Sequence, residues 1–370
     1  MEQLTLKDIA IINMGQSPDS KTYNEEKKGI PFYQGKSDFG KINPIPRVWC
    51  SNPIKIAERD DILISVRAPI GDTNIATERC CIGRGLASIR PLNENINQKY
   101  LYYILNSKYK ELNKFGTGST FKAITKDNLC NLRCNQIPNI KEQIEVVTIL
   151  DSVSQIIETK KEQLDSLNTI IKSQFVEMFE NKNFEKKTLQ DITIKITDGS
   201  HNPPNGIAEN IGYMMLSSQN IINDKINYEN ARYLSKEDFE KENARTNLKN
   251  GDLLLTIVGT VGRTAIISNE ENITLQRSVA VLKPIEEIKS EYLVGALKSD
   301  DVVRQLNKGA KGVAQKGIYL NDLKKITISV PPIELQKQYS EVVKQIDKQK
   351  FESEIELRKI QKNIFYKWGR

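Results

Sequence analysis

The sequence predicts an α+β chain with pseudo-twofold organisation, in which two tandem-duplicated globular domains are separated by a pair of long, antiparallel, coiled-coil-like helices. Three observations carry that expectation. Residues 61–71, Asp-Ile-Leu-Ile-Ser-Val-Arg-Ala-Pro-Ile-Gly, return as residues 252–262, Asp-Leu-Leu-Leu-Thr-Ile-Val-Gly-Thr-Val-Gly. Short β-type runs punctuated by Gly, Pro and Asn alternate with helical patterns in each half. Two long stretches without helix breakers carry apolar residues at heptad spacing.

The duplication extends well beyond that segment. Leu4-Thr5-Leu6-Lys7-Asp8-Ile9 recurs as Lys187-Thr188-Leu189-Gln190-Asp191-Ile192, and Tyr100-Leu101 with Leu105 recurs as Tyr292-Leu293 with Leu297. Ile137-Pro138-x-Ile140-x-x-Gln143 recurs as Val330-Pro331-x-Ile333-x-x-Gln336. The offset drifts from 183 between Leu6 and Leu189 to 193 between Gln143 and Gln336, which places insertions early in the second copy. The expected boundaries are residues 1–139 for the first domain, 140–182 for the first helix, 183–332 for the second domain and 333–370 for the second helix. Strands are expected at Ile30–Tyr33, Ile62–Val66 and Leu86–Ile89, and helices at Gln98–Leu112 and Glu291–Leu306.

After Pro138 no glycine or proline occurs before Gly199. Leu150, Val153, Ile157, Leu164, Leu167, Ile171 and Met178 advance in steps of three and four once polar Lys160 and Gln174 are allowed two seam places. That is a heptad seam, the signature of a helix that packs on another helix. The seam returns after Pro332 at Ile346, Leu357, Ile360 and Ile364, with Ser353 and Lys367 standing where Lys160 and Gln174 stand. The two helices derive from one ancestral helix and are natural partners. At 1.5 Å per residue, a helix of some 35–40 residues makes a rod roughly 50–60 Å long.

Composition narrows the class. Lys and Arg number 54 against 47 Asp and Glu, a formal net charge of +7 that favours an anionic partner without naming one. No apolar run reaches the roughly 20 residues of a bilayer span and the N-terminal residues lack a signal-peptide pattern, so a cytoplasmic location is expected. Cys50, Cys80, Cys81, Cys130 and Cys134, an odd set confined to the first copy, read as reduced thiols. With His201 the sole histidine, a metal site is not expected.

Two similar but diverged heads held apart by a rod suit an elongated partner with two related, unequal sites. Duplex DNA fits best, because its phosphates attract basic surface without sequence preference while diverged loops read base edges. The residues then resemble a known family. Gly29-Ile30-Pro31-Phe32, Asp61-Ile62-Leu63-Ile64-Ser65-Val66-Arg67, Gly83-Arg84-Gly85-Leu86-Ala87, Gly116-Thr117-Gly118-Ser119-Thr120-Phe121-Lys122-Ala123-Ile124, Thr197-Asp198-Gly199-Ser200-His201, Gly251-Asp252-Leu253-Leu254-Leu255 and the repeated Pro-x-Ile-x-x-Gln look like those of the specificity subunit of Type I restriction-modification enzymes. The resemblance covers nearly the whole chain. It implies a non-catalytic subunit with two target-recognition domains, each reading half of a split, asymmetric DNA sequence, with the helices as a ruler. It also implies two methyltransferase partners that use S-adenosylmethionine and two motor and nuclease partners that use ATP and Mg, with no cofactor in this chain.

No catalytic set emerges from the residues themselves. Asn202-Pro203-Pro204-Asn205 imitates an adenine-methyltransferase motif but puts Asn205 where an aromatic should stack on the base. Gly259-Thr260-Val261-Gly262-Arg263-Thr264 lacks the Gly-Lys-Ser/Thr ending of a phosphate loop. The alternatives are a free-standing DNA methyltransferase or nuclease with degenerate motifs, and a paired scaffold that binds no DNA. The side chains expected to meet DNA are Gln16, Ser17, Lys21, Tyr23, Arg67, Arg84, Thr117, Ser119 and Lys122 in the first domain. In the second they are Ser200, His201, Gln219, Asn220, Arg263, Gln276, Arg277, Lys311, Gln315 and Lys316. These are the residue types that donate to phosphates or pair with base edges from loops.

Overall fold

The computed structural model describes residues 4–116, 122–180, 182–268, 272–310 and 316–368, the last six by backbone alone. Two compact units divide the chain, one of residues 1–160 and 356–370, the other of residues 161–355. Each long helix is therefore shared between the units.

The first unit runs α1 (Leu6–Ile9), β1 (Ala10–Met14), β2 (Tyr23–Asn24), β3 (Ile30–Tyr33), β4 (Trp49–Cys50), β5 (Ile56–Ala57), β6 (Ile62–Ser65), β7 (Thr73–Ile75), β8 (Cys80–Ile82), β9 (Leu86–Pro91), α2 (Gln98–Ser107), α3 (Tyr109–Phe115), α4 (Lys126–Cys130) and the start of α5 (Ile140–Phe179). A four-stranded antiparallel sheet has the order β1-β9-β6-β7, and a second sheet the order β2-β4-β3-β8-β5 with β3 parallel to β8. Strand β6 is buried on both faces, which is why its sequence is a continuous apolar run rather than an alternating one. Ile62 and Ile64 join the helical core with Leu101, Leu105 and Leu112, while Leu63 faces Tyr33, Ile82 and Leu86 of the second sheet.

The second unit continues with β10 (Glu185–Thr188), β11 (Thr193–Asp198), β12 (Met214–Leu216), β13 (Ile221–Ile222), β14 (Lys225–Ile226), β15 (Arg232–Tyr233), α6 (Lys236–Thr246), β16 (Leu253–Thr256), β17 (Thr264–Ile266), β18 (Ile273–Leu275), β19 (Val279–Pro284), α7 (Ser290–Lys298), α8 (Asp300–Gly309), α9 (Leu320–Leu323), β20 (Thr327–Val330) and α10 (Ile333–Trp368). Its main sheet has the order β11-β19-β16-β17, the same topology as β1-β9-β6-β7, and β12 lies parallel to β18 as β3 does to β8. Leu253 and Leu255 face the helical core, Leu254 the other side. The repeated Asp-apolar-Ser/Thr segment is thus the central strand of each sheet.

Its flanking residues repeat a role as well as an identity. Asp61, buried, accepts two hydrogen bonds from Arg90 (2.6 and 2.9 Å) and one from the Glu58 amide. Asp252 is held in the same way by Lys283 and by the Lys249 amide. The Ser65 hydroxyl donates to Pro69 O and accepts from the Asp72 amide, and Thr256 does the same with Thr260 O and the Arg263 amide. One helix was expected at Gln98–Leu112 and another at Glu291–Leu306, but each is a pair. The break in the second copy falls at Ser299, whose hydroxyl accepts from the Val302 amide and starts α8 afresh.

The glutamine of the repeated Pro-x-Ile-x-x-Gln is fully buried in both copies. Gln143 accepts from the Asn97 amide (2.8 Å) and donates to Asn95 O and Pro138 O (2.8 and 2.9 Å). Gln336 accepts from the Lys289 amide (2.9 Å) and donates to Glu287 O and Pro331 O (3.1 and 2.9 Å). Each amide ties the first turn of a long helix to the loop preceding α2 or α7.

Helices α5 and α10 contain 40 and 36 residues. Leu150 and Ile346 are buried, and Val153, Ile157, Leu164, Leu167, Ile171, Leu357 and Ile360 are half-buried, whereas Ile149, Ile156 and Ile170 are exposed. The Ile364 side chain lies outside the described residues. Within the first unit, Lys160 donates to Glu356 (2.7 Å), so a polar seam place in α5 forms an ion pair with α10 that holds the Glu356 carboxyl below its ordinary pKa. Within the second, Phe175 and Phe179 pack on Tyr292 and Tyr339 at ring separations of 4.9–5.8 Å.

Candidate nucleic-acid interface

At the ends of the main sheet strands, three loops meet in each unit through backbone hydrogen bonds. In the first, Gly15 and Gln16 follow β1 and donate to Leu86 O and Ile82 O. Gly83-Arg84-Gly85-Leu86 is a β-turn closed by Leu86 N to Gly83 O (3.0 Å), with Arg84 at its second position. Gly83 N bonds Tyr33 O, and Val66 N bonds Gly85 O. Ile124 N to Val66 O and Ala68 N to Lys122 O then attach residues 122–124 to residues 66–68. A Cβ on Gly15 would stand 2.2 Å from Gly83 O, so the crossing of the first two loops requires glycine there.

The second unit repeats the arrangement bond for bond. Gly199 N and Ser200 N donate to Val279 O and Leu275 O, and a Cβ on Gly199 would stand 2.0 Å from Leu275 O. Gln276-Arg277-Ser278-Val279 is the same turn, closed by Val279 N to Gln276 O (3.1 Å), and Gln276 N bonds Leu216 O as Gly83 N bonds Tyr33 O. Ile257 N to Ser278 O, Ile318 N to Ile257 O and Gly259 N to Lys316 O complete the set. By these bonds Gln16 corresponds to Ser200, Ser17 to His201, Gly83 to Gln276, Arg84 to Arg277, Arg67 to Val258 and Lys122 to Lys316.

This geometry gathers many of the residues expected from sequence and sets others apart. Gln16, Ser17, Arg67, Arg84 and Lys122 share the loop cluster of the first unit, with Gln16, Arg67, Arg84 and Lys122 exposed. His201, Gln276, Arg277 and Lys316 share that of the second. Lys21 is exposed in the short helical turn Ser20–Thr22. Tyr23 is half-buried, stacked on Phe32 at 4.6 Å with its hydroxyl donated to Pro18 O, so its surface is spent on packing. Ser200 is buried and acts through its backbone, accepting at its carbonyl from the Arg277 amide. Asn220 is also buried, its amide consumed by Ser217 N, Asn227 O and Glu229 O, which makes it a turn-holding group. Gln219 beside it is exposed. Arg263 is exposed at the start of β17, donating to Ile221 O, and its counterpart by position is Asp72 rather than Arg67. Thr117, Ser119, Lys311 and Gln315 lie outside the described residues.

One group escaped the sequence. Arg245, from the end of α6, donates its Nε to Asp198 O (2.9 Å) and an Nη to the Asp198 carboxylate, while His201 Nε2 lies 2.9 Å from the other carboxylate oxygen. Asp198 is buried and thus fixes both side chains beside the Gly199 crossing. Thr197-Asp198-Gly199-Ser200-His201 was visible as a motif, but nothing near it in sequence announces Arg245, 47 residues on.

The thiols offer no reactive group. Cys50, Cys80, Cys81 and Cys134 are buried and free, and burial pushes the Cys80 and Cys81 pKa values up to about 12 and that of Cys134 to about 11. No cluster of three metal-ligating side chains occurs among the described residues, and no described helix is long and apolar enough to cross a membrane.

Comparison with known proteins identifies the fold and the repeat. The family model for the Type I restriction modification DNA specificity domain matches residues 1–169 and again 179–362. The type I restriction enzyme MjaX specificity subunit of Methanocaldococcus jannaschii is 41% identical over 156 residues, 42% of this chain and 36% of that one, so this match spans just over a third of the relative. The type I restriction enzyme EcoBI specificity subunit of Escherichia coli is 22% identical over 93% of this chain and 78% of its own. The S subunit of the Type-I restriction-modification system from M. genitalium shares the fold over 100% of this chain and 95% of its own, with a TM-score of 0.57 at 14% identity. A chain that carries this domain twice, on sheets of the same topology, belongs to the Type I restriction-modification DNA specificity family.

Proposed function

We propose that the chain is a non-catalytic sequence reader that recognises a two-part, asymmetric duplex DNA target, one part with each domain, and brings methyltransferase subunits to it. The observation that carries this reading is the loop cluster built twice by the same backbone bonds but dressed with different side chains. A common frame suits the repeating phosphate backbone, and different side chains suit two different base sequences. Helices α5 and α10, which meet at Lys160 and Glu356 in the first unit and at Phe175 and Tyr339 in the second, then serve as the ruler, because a helix of fixed length sets a fixed gap between half-sites. Double-stranded DNA, two methyltransferase subunits and two motor and nuclease subunits are the partners. S-adenosylmethionine belongs to the methyltransferase subunits and ATP with Mg to the motor subunits.

The test is a pull-down with a methyltransferase subunit of the same restriction-modification system, followed by sequencing of the adenines that the reconstituted pair methylates. Methylation at a two-part sequence with a constant gap is the expected result. A stable complex without methylation would sink the DNA-reading role, and S-adenosylmethionine binding by the lone chain would favour a free-standing enzyme instead.

A further inference from the structure

The internal duplication offers a comparison that one domain alone could not. Side chains retained at equivalent positions of two diverged copies have a reason to be common to both. For several shared residues that reason is internal structure. Thr5 and Thr188 cap Asp8 and Asp191, and the buried Gln143 and Gln336 secure the helices. Arg84 and Arg277 differ from these, since both are exposed and neither makes an ion pair among the described residues. They also occupy the same place, the second position of a β-turn whose closing bond and flanking strands match, although the Arg84 amide donates to Ser17 Oγ and the Arg277 amide to Ser200 O. Gly15 and Gly199 at the crossing and Lys122 and Lys316 nearby are also retained, but the residues beside the arginines in the turn and in the facing loops are not. Gly83 corresponds to Gln276, Gly85 to Ser278, Ser17 to His201 and Arg67 to Val258.

Resting on the DNA-reading function proposed above, we propose that Arg84 and Arg277 are equivalent phosphate anchors, each seating its domain on the DNA backbone, and that neither reads a base. The two halves of an asymmetric target differ in bases but share phosphates, so a group kept identical while its neighbours diverge matches the shared feature. The turn assists. It projects the guanidinium from a backbone fixed on three sides, by Gln16 N or Ser200 N bonded to the preceding strand, by Val66 N or Ile257 N bonded to the turn, and by the turn's own closing bond. The neighbouring Lys122 and Lys316, attached by equivalent bonds, add positive charge on the same edge of each unit.

The full-length chain would be equilibrated with a pool of randomised duplexes, and the bound fraction sequenced, for the wild type and for the Arg84→Ala, Arg84→Lys, Arg277→Ala and Arg277→Lys variants across a salt series. Each alanine variant is expected to bind every selected sequence more weakly by the same factor and to lower the slope of log affinity against log salt by about one. The lysine variants are expected to recover most of the affinity, because a phosphate accepts a point charge whereas bidentate pairing with guanine needs the guanidinium fork. Thermal melts of each variant, expected to match the wild type because both side chains are exposed, separate a folding defect from a binding defect. A changed base preference at a single position, with no rescue by lysine, would overturn the assignment in favour of base reading. Alanine variants indistinguishable from wild type in affinity and salt slope would overturn it in favour of a solvated surface arginine. A wild-type chain without salt-dependent affinity for any duplex would instead defeat the DNA-reading function beneath it.

Discussion

Replacing Gln143 by alanine should loosen the joint between the first domain and its helix, and the loss can be worked out bond by bond. The side chain is fully buried and makes three hydrogen bonds of 2.8–2.9 Å, one accepted from Asn97 N and two donated to Asn95 O and Pro138 O. Each is worth about 1 kcal/mol net, and a buried amide left without a partner costs about 1–3 kcal/mol, so a loss of about 3–4 kcal/mol is expected. Gln143→Glu is the sharper variant, since it keeps the shape but turns a carboxylate oxygen toward two carbonyl oxygens. Burial and those carbonyls raise its folded pKa above the unfolded value near 4.3, so its stability is best below that pH and is lost as pH rises. Urea unfolding in a Trp368→Phe background would leave Trp49, within the first unit, as the single tryptophan reporter. A loss below about 1 kcal/mol for alanine, or a glutamate variant as stable as the parent at neutral pH, would refute the view that this amide holds the helix to the domain.

Other outcomes follow from the same geometry. Asp61→Ala removes the acceptor of two Arg90 bonds and of the Glu58 amide, and a loss of about 2–4 kcal/mol is expected in chemical denaturation, against little change for the exposed Glu78→Ala. Gly295→Ala puts a Cβ 2.4 Å from the Phe175 ring and 3.0 Å from Tyr339 Oη, so overpacking by about 1–3 kcal/mol should appear in thermal melting of the second unit. Thiol titration of the native protein at mildly alkaline pH should modify the half-buried Cys130 and spare Cys50, Cys80, Cys81 and Cys134, with a second fast-reacting thiol counting against their burial. Because burial raises the Cys80 and Cys81 pKa values from 9.0 to about 12, the folded state holds their protons where the unfolded chain has released them. Stability should therefore fall as pH rises from about 9 toward 12, and a Cys80→Ser variant should show a shallower fall.

Which parts were legible depended on the distance over which the relevant contacts act. The long helices were readable because seam residues recur every three or four positions and the two copies confirm one another. The break at Ser299 was harder to see, since the apolar spacing continues across it and only the hydroxyl cap restarts the helix. Within the loops, residue type alone could not separate an exposed glutamine at 219 from the buried Asn220 next to it, whose amide is used three ways inside its own turn. Arg245 could not be foreseen at all, because its partner Asp198 lies in another element.

The duplication, the α+β class and the two helices were all readable from the residues, since each is written as a local period or as a segment that occurs twice. The sequence also marked the central strands, for a strand covered on both faces must be apolar throughout. The fold alone showed how the equivalent residues of the candidate interface are brought together. Residues distant in the chain, such as Gly15 and Leu86 or Gly199 and Val279, meet there through backbone hydrogen bonds that no local pattern announces. Those bonds place Arg84 with Arg277 at one turn and Asp72 with Arg263 at another, in agreement with the spacing of the aligned segments, because a turn's position is set by the strands it closes.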